Sequence, residues 1–283
     1  MSEFNIKAKA KINLSLDIIS KRENGYHNLK MIMHTVNLCD DIIINETKDN
    51  KFLLKTNLSY LPNDSRNILY KTYIDFYNYT GLKAQGFNIY LDKRIPVCAG
   101  LGGGSSDAAA FLKFLNEYSG NILEEKELLG IGEKIGADVP FCIMGGTCLA
   151  EGIGEKLTKL DPLPDCHIVI AKPQNKGLST KAIFSMVNID EIKYHPDTSG
   201  IIKALKEKDL YSITKRMYNV LEDYSKNESS DIILYKEKFM EFGACGSLMS
   251  GSGNAVFGIF DNYKKAELAK EQFKKYTNLV YLM

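Results

Sequence analysis

Pro96-Val97-Cys98-Ala99-Gly100-Leu101-Gly102-Gly103-Gly104-Ser105-Ser106-Asp107-Ala108-Ala109-Ala110 sets four glycines and two serines directly before a helix-forming alanine run. Glycine takes positive φ without strain and lets the backbone approach a ligand closely, while the first N–H groups of the following helix have no intrahelical acceptor. The stretch therefore builds an anion cradle, and phosphate is its natural guest. A plain loop with a helix cap, Ser105 or Ser106 supplying the hydroxyl, is the simpler reading. Four glycines within five residues, between Pro96 and a long helix, weigh against it. Two familiar phosphate loops are excluded. A Walker loop needs Lys and then Ser or Thr after its last glycine, and Gly104 is followed by Ser105, Ser106 and Asp107. A dinucleotide fingerprint starting at Gly100 needs glycine at position 105, which is Ser105.

Outward from the cradle, residues 12–19 alternate as a half-buried strand does, and a turn follows at Glu23-Asn24-Gly25. Residues 31–38 and 41–45 read as two strands joined tightly around Cys39-Asp40, and 87–91 as another. Helical spacing marks 67–79, stopped by Thr80-Gly81, then the cradle helix to about Tyr118, then 124–135. Two prolines in Asp161-Pro162-Leu163-Pro164 stop regular structure, so the chain divides into residues 1–160 and 161–283. Beyond them a strand over 167–171 precedes helices over 180–187, 200–205, 210–218 and 232–242. Strands over 244–249 and 255–260, a helix over 263–276 and a strand over 279–282 complete the second half, and the fold class is α+β.

A 283-residue chain that is 45% hydrophobic is long enough for two domains of an ordinary globular protein. Its formal charge of +1 argues against a broad nucleic-acid footprint. No segment reads as a membrane span, and the first eleven residues carry three lysines with no apolar core of signal-peptide length, which points to the cytosol. Cys39, Cys98, Cys142, Cys148, Cys166 and Cys245 form no C-x-x-C pair, so reduced, buried thiols are expected rather than zinc or disulfides. The four histidines lack metal-ligand spacing as well.

Three further places carry candidate chemistry. Strand alternation puts Lys11 and Asn13 on the face opposite Ile12 and Leu14, so that an ammonium and an amide project together; a solvent-facing lysine at a strand edge is the simpler reading. Asp138, in Gly136-Ala137-Asp138-Val139-Pro140, suits a helix N-cap, yet the apolar run that follows would also shield a general base. Ser250-Gly251-Ser252-Gly253 joins two strands either as a plain hairpin turn or as a second source of backbone N–H groups and hydroxyls.

Together these motifs resemble the GHMP kinases: Lys11-Ile12-Asn13-Leu14, the cradle, and Leu248-Met249-Ser250-Gly251-Ser252-Gly253 stand in the family's order. The wording around Gly25-Tyr26-His27, Gly136-Ala137-Asp138-Val139-Pro140-Phe141 and Gly145-Gly146-Thr147 is similar to the branch that acts on a cytidine-diphosphate-linked methylerythritol. The resemblance implies a ribosomal-protein-S5-like N-terminal domain that binds ATP and a ferredoxin-like C-terminal domain. It also implies transfer of the γ-phosphoryl group of ATP to a 2-hydroxyl, with Asp138 as base and Lys11 steadying that carboxylate and the hydroxyl. Asn13, Gly251, Ser252 and Gly253 would bind substrate, His27 would read the cytosine edge, and Tyr26 and Phe184 would stack on the base. Magnesium is implied with the nucleotide; Ser106 offers a hydroxyl, and no protein carboxylate is assigned to it. The motif departs from many relatives at Asn254. Another small-molecule kinase of the family, and a non-catalytic nucleotide-binding protein on the same scaffold, are the alternatives.

Overall fold

The computed structural model describes residues 2–48, 50–174, 179–225 and 230–283. They form two compact units, one of residues 1–10, 36–97 and 102–144, the other of residues 11–35, 98–101 and 145–283. Two long strands, β1 (Glu3–Lys21) and β2 (His27–Thr47), run through both.

In the first unit β2 pairs antiparallel with β4 (Gly86–Asp92), from Asp41 opposite Asp92 to Thr47 opposite Gly86. β3 (Phe52–Thr56) lies parallel to β4 on its other side. α1 (Ile68–Thr80), α2 (Gly103–Tyr118), α3 (Glu125–Ile135) and α4 (Val139–Met144) contribute to a core that includes Ile42, Phe76, Phe87, Phe111, Phe114, Leu115, Ile131 and Val139. The helix starts follow local chemistry. Asn67 caps α1 by accepting the Leu69 N–H at 3.0 Å, and Glu124 with Glu127 form a reciprocal box on α3.

β2 corrects the expectation of two strands meeting at Cys39-Asp40, for it runs unbroken through both residues. Asp40 is fully buried there because its carboxylate is fully occupied. It accepts the Arg94 N–H at 2.5 Å and the Ile95 N–H at 2.8 Å, and it pairs with the Lys93 ammonium. A polar residue whose partners arrive from another strand's end need not break its own strand.

In the second unit β1 is flanked by β8 (Tyr218–Asn219), parallel to it with Leu16 opposite Asn219. β2 pairs antiparallel with β5 (Thr147–Gly152), which pairs in turn with β6 (Lys156–Lys159). A separate antiparallel sheet orders β11 (Val280–Leu282), β7 (His167–Ala171), β10 (Val256–Phe260) and β9 (Gly246–Met249). The remaining helices are α5 (Thr180–Met186), α6 (Thr198–Glu207), α7 (Leu210–Arg216), α8 (Glu222–Ser225), α9 (Ser230–Glu241) and α10 (Tyr263–Phe273). The rings of Phe239 on α9 and Phe273 on α10 pack with centroids 4.1 Å apart. Among the described residues no helix is long and apolar enough to cross a membrane.

All six cysteines stand as free thiols, and only Cys148 is buried, which corrects the expectation of buried thiols. Cys98 is exposed because it sits in the cradle's turn, at φ +54°, rather than inside an element.

His34 on β2 gives the second unit a pH signature. Its Nδ1 lies 2.8 Å from the Thr147 hydroxyl, and burial lowers its pKa to about 4. The folded chain thus keeps this ring neutral while the unfolded chain protonates it below the ordinary 6.5. Its contribution to stability is complete above pH 6.5, falls as pH drops, and is fully lost below about 4. Urea unfolding of the wild type should lose about 3 kcal/mol over that window from this group. His34→Gln should show a correspondingly shallower decline, and equal declines would remove His34 as the cause.

Candidate active site

The cradle is built by alternating backbone hand: Cys98, Gly100 and Gly102 take φ of +54°, +75° and +68°. Gly102 is the N-cap of α2, its carbonyl accepting the Ser106 N–H at 2.8 Å. The alternative of a plain loop with a serine cap does not hold: both serines lie inside the first turn, and no side chain caps the helix. Ser106 donates its hydroxyl to the Lys9 carbonyl at 2.5 Å and ties the helix start to β1. A Cβ added to Gly104 would meet nothing within 4 Å, so the first turn is open at that point, as an anion site requires.

Beneath the helix start lies a group the sequence did not single out. Lys93 bridges Asp40 and Asp107, at 2.7 Å from Asp107, and all three are buried. Burial works to lower the Lys93 pKa, but the two carboxylates outweigh it and raise it above the ordinary value. Asp107 is pushed up by burial, against the pull of the ammonium. The sequence signals were charged residues inside a strand, just past a strand end and beside the alanine run of a helix.

Lys11 is 4% exposed, which overturns the solvent-facing reading; Ile12, Asn13 and Leu14 beside it are fully buried, so both faces of β1 are covered here. The Lys11 ammonium donates to Asn13 Oδ1 at 2.7 Å, and the Asn13 amide lies 3.4 Å from Met31 Sδ. The Lys11 backbone N–H donates to the Leu101 carbonyl at 3.0 Å, which fixes the strand against the cradle's second glycine turn. Asp138 directly precedes α4 and is half-buried, its carbonyl accepting the Cys142 N–H at 3.1 Å as an N-cap residue's does.

The hairpin after β9 is more than a turn. Ser250 donates its hydroxyl to the Gly100 carbonyl at 2.9 Å, and the Ala255 N–H donates to the Ala99 carbonyl at 3.1 Å. A Cβ on Gly251 would stand 3.2 Å from Gly100 Cα and 3.3 Å from Lys11 Nζ. The third motif therefore touches both the first motif and the cradle. Ser252 lies at the loop's edge, its hydroxyl 2.9 Å from that of Thr180 at the start of α5, and the Gly253 N–H closes the turn on the Ser250 carbonyl at 3.0 Å.

His27 and Phe184 come together, with ring centroids 5.5 Å apart and planes 28° from parallel. His27 is 6% exposed, and its buried Nε2 has no hydrogen-bond partner among the described residues. Burial and then the Lys21 charge lower its pKa, so the ring is neutral at pH 7. Tyr26 is 60% exposed on the preceding turn and does not join this stack.

The donors for magnesium do not gather. Among the described residues no group of three His, Cys, Asp or Glu side chains is placed to hold a metal ion, while Ser106, whose hydroxyl hydrogen goes to the Lys9 carbonyl, keeps its oxygen lone pairs.

The GHMP kinases N terminal domain model matches residues 67–146, and the GHMP kinases C terminal model matches residues 201–278. The chain is 42% identical to a 4-diphosphocytidyl-2-C-methyl-D-erythritol kinase of Alkaliphilus metalliredigens over 99% of its own length and 97% of the relative's. It is 44% identical to the protein of the same name from Lachnoclostridium phytofermentans, over 97% and 94%. A crystal structure of 4-(cytidine 5'-diphospho)-2C-methyl-D-erythritol kinase superposes with a TM-score of 0.83 at 28% identity, covering 99% of this chain and 98% of that one.

Proposed function

Since the chain belongs to the GHMP kinases, we propose that it phosphorylates the 2-hydroxyl of 4-diphosphocytidyl-2-C-methyl-D-erythritol with ATP, in the non-mevalonate route to isoprenoid precursors. Its fold is that of the GHMP kinases, and it is a small-molecule kinase. The carrying observation for the acceptor is the His27–Phe184 stack. A neutral, buried imidazole with a spare nitrogen, lying against an aromatic face, suits a flat base that must be both stacked and hydrogen-bonded. A homoserine or mevalonate acceptor has no ring to use it.

The residue roles follow the chemistry. The turn from Pro96 to Ser106 is assigned to hold the triphosphate through the backbone N–H groups between its ends, with Val97, Cys98, Ala99, Leu101 and Ser105 contributing main chain rather than side-chain charge. A sugar hydroxyl is a poor nucleophile, so the work is to aim it in line with the γ-phosphorus and remove its proton as the bond forms. Asp138 is assigned that proton. Lys11 is assigned to steady that carboxylate and the hydroxyl. Asn13 orients Lys11 and the acceptor, while Gly251, Ser252 and Gly253 cover the acceptor side. Tyr26 is assigned to the open edge of the cytosine site. Magnesium, bound with the nucleotide, would supply charge neutralisation to the transferring group, and Ser106 is the residue that would offer it a hydroxyl.

The ATP-binding work belongs to residues 1–160 and the closing half to residues 161–283, a division supported by the two family models falling on either side of it. A cytosolic place agrees with a nucleotide donor.

ADP release measured with the cytidine acceptor, homoserine and mevalonate in parallel tests this reading. The cytidine compound should be the preferred acceptor by at least about 10³ in kcat/KM, since a buried polar site rejects a ligand that leaves it unpaired by 10⁴ or more. Turnover with homoserine or mevalonate at the same efficiency would overturn it.

A further inference from the structure

Asn219 lies outside the motifs described above, yet it is completely buried with both amide protons and its oxygen hydrogen-bonded. Its amide nitrogen donates to the Met249 carbonyl at 2.9 Å and to the Gly251 carbonyl at 2.8 Å, while its Oδ1 accepts the Leu221 N–H at 3.0 Å. Met249 is held from its other side too, its N–H donating to Glu222 at 2.6 Å, and Glu222 is neutralised by Lys236. The strand bearing Asn219 is registered on β1 at Leu16, whose carbonyl takes the Val220 N–H at 3.0 Å. β1 also carries Lys11.

We propose that Asn219 is a positioning residue for phosphoryl transfer: it clamps the carbonyls of Met249 and Gly251 so that the glycine hairpin stands at its close approach to Lys11 Nζ and to Gly100. The inference rests on the kinase reading above. Two carbonyl oxygens pointing into one buried spot repel each other and need two donors between them, and a single carboxamide supplies both. Without it the hairpin would relax away from Gly100, and the Lys11 ammonium would lose the wall that limits its rotamers. Asn219 touches no ligand in this account, so its effect belongs to the transition state and not to ground-state affinity.

Asn219→Asp keeps the shape and the acceptor for the Leu221 N–H but turns a donor toward the two carbonyls into an acceptor. With the cytidine acceptor, kcat should fall about 10- to 100-fold with both KM values changed less than about threefold, as misplacement of reactive groups by an ångström predicts. Hydrogen exchange supplies a readout independent of activity. Amides of residues 250–255 should exchange faster in the variant, with those of β7 and β11 unchanged. Wild-type kcat together with wild-type exchange in 250–255 would overturn the proposal, and so would faster exchange spread evenly over the unit, which marks a merely structural role. If the variant does not fold, Gly251→Ala probes the same approach from the other side, and wild-type kcat in that protein would overturn it equally. A wild-type enzyme inactive on the cytidine acceptor would instead sink the kinase reading, leaving the exchange result to judge the clamp.

Discussion

Asp138→Asn is expected to lower turnover by about two to four orders of magnitude while leaving ATP affinity within about twofold, the span associated with loss of a general base. The carboxamide has nearly the volume of the carboxylate but cannot take up the acceptor's proton. The backbone at this position should not change, because the bond from the Cys142 N–H goes to the Asp138 carbonyl and not to its side chain. Asp138 is half-buried, which leaves room for the substituted amide to be solvated. Single-turnover phosphorylation measures the chemical step, and calorimetric titration of ATP measures binding. Turnover equal to wild type would take Asp138 out of the reaction. A loss of ATP binding in parallel with turnover would move its role to the nucleotide.

Gly100→Ala is expected to destabilise the fold by about 2–5 kcal/mol and to abolish measurable activity. Gly100 is at φ +75°, where an L side chain costs about 1–2 kcal/mol. An added Cβ would overlap the Ser250 carbonyl oxygen and stand 2.8 Å from its carbonyl carbon and 3.1 Å from the Gly253 nitrogen. Those atoms are backbone, so no side chain can swing aside, and overpacking of this kind adds about 1–3 kcal/mol. Relief requires the hairpin to retreat, which breaks the Ser250–Gly100 and Ala255–Ala99 hydrogen bonds. Gly104→Ala is the matched control for stability. It sits at the second position of α2 with open space around its would-be Cβ, so a melting temperature equal to or above wild type is expected there. A Gly100→Ala protein melting within a degree of wild type would show that the hairpin does not need its present closeness to the cradle.

The helices were legible where the chain carries its own punctuation. The helical spacing over 67–79 with its Thr80-Gly81 stop, the alanine run after the cradle and the spacing over 124–135 are local signals, and each was read within a residue or two of the observed boundary. Strands were harder. β3, β5, β6 and β8 went unread, since short strands owe their existence to the neighbours they pair with. Cys39-Asp40 looked like a break because an isolated aspartate in a strand is costly, and the three donors that satisfy it come from residues 93–95, more than fifty positions away.

The chemistry-bearing vocabulary of this protein is local: a glycine run leading into a helix, an Asp ahead of an apolar turn, a Lys-x-Asn in a strand, and their order along the chain suffice to identify the family and the reaction class. What each polar group does with its hydrogen bonds is not local. Ser106 serves Lys9, Ser250 serves Gly100, Lys93 serves Asp107 and Asn219 serves the hairpin, over separations of 14 to 150 residues. No period or spacing encodes such partnerships. They arise because a buried polar atom must be paired, and folding alone brings the partner within reach.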